Sequence, residues 1–441
     1  MKPYVGIQLS ASFALIVGVV CSSLSATDSA PAIPLPEIPE RIFDVTKFGA
    51  VTNGQTLNTG AIQKTIDAAE QAGGGTVLIP AGQFISGPVK LQSNIRLYLA
   101  KGARLVMSDN FSDFPIIGNG RENFISAADT HDIGISGEGV IDGQGQPWWK
   151  AFRAKELTAR RPQMIVFANC ERVEIGGIRT LNPPNTHCSL RTCRNVIVKN
   201  VTMTAPADSP NTDALNISGA DILITNCDIS TGDDNIVFLG SRNSSSSNLK
   251  TENITVINCK LGFGHGLSIG SFTTGGVRHL HVENVSFDGT TSGIRMKAGR
   301  MRGGVVEDLV YKNVRMKNVK NPIWISSYYP KEPNQPSDDL VQPVNDKTPV
   351  WKNIVIENAD IEDAANAMTV WGLPECPVSG IELRRIKITS NHGAKIYNAK
   401  DVNLTNVQIN SKADPPLTVF NAEVKGMKGM LLETNTSPNH E

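Results

Sequence analysis

The sequence has no surplus of charge: 42 lysines and arginines meet 42 aspartates and glutamates, for a formal net charge of zero. That balance excludes a globally basic nucleic-acid binder, while leaving room for a local cationic patch. Aromatic residues are scarce at 6%, so there is no row of stacking rings between cations to hold single-stranded nucleic acid. Glycine (39) and proline (25) stay near ordinary usage, which excludes a collagen-like or low-complexity chain. The seven cysteines have no zinc-site spacing. After residue 26 no apolar run is long enough to span a bilayer. What remains, with 40% hydrophobic and 19% charged residues over 441 positions, is a large globular protein with ample core.

The first 26 residues stand apart. Lys2 precedes an apolar run over residues 7–20, and small residues follow up to Ala26. This pattern predicts a secretory signal peptide; Gln8, Ser10 and Ser12 interrupt the run too often for a membrane anchor. The mature protein is thus expected to be secreted, extracellular or periplasmic, with no membrane attachment. Residues 27–40, with Pro31, Pro34, Pro36 and Pro39, read as an extended lead-in. Six cysteines stay in the mature chain, at 170, 188, 193, 227, 259 and 376. An even number permits disulfides without requiring them.

Internal repetition carries most of the information. A short alternating strand, often followed by Asn and a second apolar pair, starts at Val173, Val196, Ile222, Ile254, Leu280, Leu309, Ile354, Ile381 and Val402. Subtracting successive starts gives 23, 26, 32, 26, 29, 45, 27 and 21 residues, about one solenoid turn each with loops of varying length. Each early copy has a second strand after a loop, at 214–217, 235–238, 266–269, 293–297, 322–325 and 367–370. Helical spacing is absent from this region, and the Asn-Gly signals of paired hairpins are scarce, which disfavours a β-sandwich. The pattern predicts an all-β fold, a single chain wound into a parallel β-helix with coils about 4.8 Å apart. Residues 59–72 form the one clear helix, with Ile62, Ile66 and Ala69 as its apolar stripe and Gly73-Gly74-Gly75 as its stop. It suits the cap that an open solenoid end needs. One domain over 41–432 with a polar tail at 433–441 follows. Cys227 and Cys259 share an offset in the repeat and are expected to stack, as free thiols or as a bridge; Cys188 and Cys193 are near enough to close a small loop.

Aligning the second strands on their inward residues Leu215, Ile236, Leu267 and Ile294 places Asp213, Asp234 and His265 at the same offset, two positions earlier. Asp233 adjoins Asp234, and Arg295 and Lys297 flank an inward Met296. Taken singly, each of these reads equally well as a solvated turn or strand edge. Their common phase is what points to a site. Adjacent aspartates repel, and a purely structural ladder is built at lower cost from Asn. Carboxylates clustered on a groove suit glycoside hydrolysis, one as acid and others as base for water. The cations imply an anionic sugar, and Arg300 and Arg302 are expected to extend their patch. No metal and no cofactor is called for.

Together these residues resemble glycoside hydrolase family 28, the polygalacturonases and related pectin hydrolases. The matching motifs are Asn211-Thr212-Asp213, Gly232-Asp233-Asp234, Gly264-His265-Gly266 with Leu267-Ser268-Ile269-Gly270-Ser271, and Arg295-Met296-Lys297. Phe48-Gly49-Ala50, the capping helix and Ser93-Asn94-Ile95 also look like the start of such chains. The central Met296 departs from the usual Ile, a tolerable swap at an inward position. The resemblance implies a right-handed helix and an inverting mechanism on α-1,4 bonds of polygalacturonan, in a monomer acting on pectin. It assigns Asp233 as general acid, Asp213 and Asp234 as holders of the attacking water, and His265 as the tuner of the acid. Arg295 and Lys297 would bind the galacturonate carboxylate, with Tyr329 as a further substrate contact. The alternatives are a rhamnogalacturonan hydrolase, which usually lacks the histidine, a calcium-dependent pectin lyase, and a non-catalytic β-helix that binds polysaccharide.

Overall fold

An apolar residue at every second position gives each repeat an inward row, and the inward rows of successive repeats stack. In the computed structural model Val173, Val196, Ile222, Ile254, Leu280, Leu309, Ile354 and Ile381 pair rung to rung in this order. None is more than 1% exposed. A second inward column runs through Val89, Ile125, Ile165, Cys188, Leu215, Ile236, Leu267, Ile294 and Ile323. Burying each such side chain contributes roughly 1.5–3 kcal/mol, so the lumen of the coil is its core. Among the described residues every ladder is parallel except one antiparallel pair, Ile116–Ile117 with Gly120–Arg121. The fold is a parallel β-helix. The described residues are 32–240, 250–413, 415–426 and 432–434; the segment read as a signal peptide lies outside them, as do residues 435–441.

The recurring Asn has a physical reason. Asn200, Asn226, Asn258, Asn284, Asn313 and Asn358 all sit in the left-handed region, with φ between 52° and 57°. The chain turns a corner there, and Asn tolerates that region better than most residues. Adjacent corners are tied by their amides, Asn284 to Asn258 at 3.3 Å and Asn358 to Asn313 at 3.1 Å.

Helix α1, Thr59–Gln71, buries Ile62, Thr65, Ile66 and Ala69 against the first strands. A second helix, α2, Gln146–Arg153, corrects the expectation of a single one. Its eight residues make only two turns, with a proline in the first, which is too short a stretch for helical periodicity to stand out. Trp148 stacks on Phe111 at 3.8 Å, and Trp149 donates to the Pro183 carbonyl at 3.0 Å. The lead-in is latched at Asp132, which accepts from Glu37 N at 2.8 Å and from both Nε and Nη2 of Arg172. The last strand, Leu432–Thr434, runs two residues past the boundary read from the sequence. All six cysteines at 170–376 are free thiols, five of them buried, and the Cys227 and Cys259 thiols donate to the Thr225 and Ile257 carbonyls, each at 3.3 Å. No helix among the described residues is long and apolar enough to cross a membrane.

Candidate active site

The register that stacks the core also gathers the polar residues. Asp213 accepts a backbone bond from His187 N, Asp234 from Ala214 N and Asp233 from His265 N, at 2.8, 2.9 and 2.8 Å. Each carboxylate-bearing turn is therefore stapled to its neighbour through the main chain. Two glycines let the turns approach. A Cβ on Gly232 would lie 2.1 Å from the Ser209 carbonyl oxygen, and one on Gly266, at φ +78°, would lie 2.0 Å from that of Ser292.

The side chains meet as the common phase requires. His265 Nδ1 lies 2.9 Å from Asp233 Oδ1 and 3.9 Å from Asp234 Oδ1. Asp234 is gripped by three donors: Arg295 at 3.0 Å, Lys297 Nζ at 2.7 Å and Ser268 Oγ at 2.7 Å. Asp213 has one, Asn216 Nδ2 at 2.8 Å. Tyr329 presents its ring 5.6 Å from Lys297 Nζ, and Trp324 lies 5.3 Å beneath the Arg295 guanidinium. Asp213, Asp233, Asp234 and Lys297 line a cleft of about 890 Å³ that runs back over the earlier coils past Asn216, Ser189 and Ser126 to Lys90.

A comparison with known families matches residues 70–408 to the one described as Glycosyl hydrolases family 28. The chain belongs to that family. It is a glycosidase. It is 30% identical over 415 residues to an endo-polygalacturonase of Pectobacterium carotovorum subsp. carotovorum, covering 88% of this chain and 96% of the relative. A probable polygalacturonase of Vitis vinifera is 29% identical over 77% of this chain and 73% of its own length. Among solved structures, the polygalacturonase from Erwinia carotovora ssp. carotovora superposes with a TM-score of 0.67 at 25% identity, over 90% of this chain and all of that one. An exopolygalacturonase from Thermotoga maritima shares the fold, with a TM-score of 0.72 at 22% identity over 89% and 93% of the two chains.

Asp213 and Asp233 of this family 28 site are pushed in opposite directions. Burial holds Asp213 well above the ordinary carboxylate range, and the charges of Asp233 and Asp234 push it further; Asn216 and Lys297 oppose them only in part. Burial also pushes Asp233 up, but the hydrogen bond and charge of His265, the charge of Lys297 and the Asp234 N–H bring it below its ordinary value. Of the two, Asp213 is the carboxyl more readily protonated in the free cleft. Asp233, Asp234 and His265 offer ligand atoms within 4.8 Å of one another. The set does not suit a metal ion, because both Asp234 oxygens already face fixed cations.

Two expectations change. Arg300 does not extend the cationic patch: it is bound by both Asp339 and Glu375, and its charge is spent there. Arg302 stays at the cleft, stacked on Phe272 at 4.9 Å and near Tyr329 at 5.9 Å. The segment 331–349 is anchored beside the site through Glu332 to Trp324 and Asp339 to Tyr328. Sequence reasoning also missed Asn216 and Ser268. Both are outward residues on the rungs that carry the site, Ser268 directly beneath Arg295, and that register was their available signal.

Proposed function

We propose that this enzyme hydrolyses the α-1,4 bonds between galacturonate units of polygalacturonan, in one displacement that inverts the anomeric carbon. The observation that carries the reading is the meeting of Asp213, Asp233, Asp234 and Lys297 in one cleft, with Arg295 paired to Asp234. The carboxylates supply acid and base chemistry, and the cations select a sugar that carries its own carboxylate. The names of the curated relatives, polygalacturonases from bacteria and plants, support it.

Asp233 acts as the general acid, and Asp213 and Asp234 hold and activate water on the opposite side of the bond. Asp234 is held in one orientation by Arg295, Lys297 and Ser268. Asp213 has the raised proton affinity and Asp233 the lowered one, so on binding the proton must pass from Asp213 to Asp233, which leaves Asp213 ionised as the base. An anionic substrate that expels water raises the proton affinity of Asp233, which His265 Nδ1 faces at 2.9 Å. Arg295 and Lys297 bind the substrate carboxylate beside the scissile bond, with Tyr329 alongside. The protein works as a secreted monomer on pectin. Proton NMR of the first products from polygalacturonate tests the chemistry: the new reducing ends should appear as the β anomer. Appearance of the α anomer first, products absorbing in the ultraviolet, or cleavage of rhamnogalacturonan alone would each overturn the reading.

A further inference from the structure

Arg161 is a buried charge in the cleft wall that the proposed chemistry does not use. It is 6% exposed, yet among the described residues its hydrogen bonds all go to neutral acceptors. Nη1 donates to the carbonyls of Pro184 at 2.8 Å and Pro210 at 2.7 Å, and Nη2 donates to Asn211 Oδ1 at 2.8 Å. The ring of Phe152, on α2, lies 4.0 Å from the guanidinium carbon. A buried cation without a carboxylate partner is expensive to keep. Burial lowers its pKa to about 10, with Arg153 adding to this and Asp213 opposing it, so it stays charged at any working pH.

What this arrangement determines is the orientation of one amide. Asn211 sits at φ 55°, and its Nδ2 points to Asp233 Oδ2 at 3.5 Å. A guanidinium can only donate, so Arg161 accepts no rotamer of Asn211 that turns the amide nitrogen towards it. The flipped amide would set its oxygen against the Asp233 carboxylate. We infer that Arg161 is a positioning residue: it locks the Asn211 amide as a donor to Asp233 and supplies a fixed positive charge behind Asp213. The kinetic part of this inference rests on the polygalacturonan reading; the electrostatic part does not.

The test compares wild type with Arg161→Met and Arg161→Lys. Carboxyl carbon-13 NMR titration needs no substrate, and in Arg161→Met both Asp213 and Asp233 should titrate at higher pH than in wild type. On polygalacturonate the same variant should lose at least tenfold in kcat with KM within twofold, and its acidic limb should move to higher pH. Arg161→Lys keeps the charge but not the fork, so it should hold the Asp213 titration and recover only part of kcat. Unchanged carboxyl titrations in Arg161→Met, or a raised KM at constant kcat, overturns the inference. A lower melting temperature with an unmoved pH profile also overturns it, because a merely structural role gives that result. If Arg161→Met does not fold, Arg161→Lys decides, and wild-type kcat in that variant overturns the inference. Should wild type leave polygalacturonate intact, the substrate reading fails while the NMR titration still judges Arg161.

Discussion

At the scale of single residues, the site works through unequal support of like groups. Asp234 has three donors, Asp233 has an imidazole, and Asp213 has one amide and two repelling neighbours. In the proposed mechanism Asp213 activates water as a carboxylate, so its raised pKa would set the pH below which activity falls. Asn216 stabilises the ionised form, so Asn216→Ala should raise that pKa further and move the acidic limb upward. Loss of one hydrogen bond to a charged group predicts roughly tenfold lower kcat at the acidic end, with little change at the plateau. The kcat–pH profile checks it. Asp233→Asn should reduce turnover by roughly 10²–10⁴-fold, the usual worth of a general acid, while binding of polygalacturonate in a gel-shift or calorimetric assay survives. The aspartates were legible in sequence because a shared offset from an inward apolar residue is visible without coordinates. Arg300 was misread for the opposite reason. Its partners Asp339 and Glu375 lie 39 and 75 residues away, in loops with no repeat phase to place them.

At the scale of elements, what repeats was legible and what interrupts the repeat was not. The inward columns and the Asn corners follow from alternation and the left-handed region. Helix α2 and the pair Ile116–Ile117 and Gly120–Arg121 are single insertions whose form is set by what they pack on. The lead-in is similar: nothing in its prolines tells where it docks. Asp132 is the latch, and its carboxyl is held well below the ordinary range. The Arg172 hydrogen bonds are the largest cause; burial opposes them, and Glu37 N–H and His131 add to them. A carboxyl with a depressed folded pKa stabilises the fold fully above its unfolded value, about 3.9, and loses that contribution as pH falls toward the folded one. Asp132→Asn should therefore cost about 1–3 kcal/mol at pH 7, the penalty of a buried charged bond. Urea unfolding of both proteins should show that gap closing below about pH 4.

At the scale of the molecule, the solenoid turns a zero net charge into a polarised surface. The cleft gathers Lys90, Arg121, Arg160 and Arg191 on the coils before the carboxylates, with Glu122 among them. Seven strand pairings separate the strand Val89–Lys90 from Ser292–Ala298, which at about 4.8 Å each is roughly 34 Å of groove. An anionic chain lying along it gains contacts one rung at a time until it outgrows the cationic wall. On a set of oligogalacturonates, kcat/KM should thus climb with chain length and level off once the oligomer spans roughly 34 Å. Screening acts on the same wall. Raising salt from about 50 to 500 mM shortens the Debye length to a few ångströms, so the advantage of long chains over short ones should shrink several-fold. If kcat/KM is the same for dimer and decamer at low salt, the cations along the groove do not touch substrate. The specificity would then rest on Arg295 and Lys297 alone, at the rung where the bond is cut.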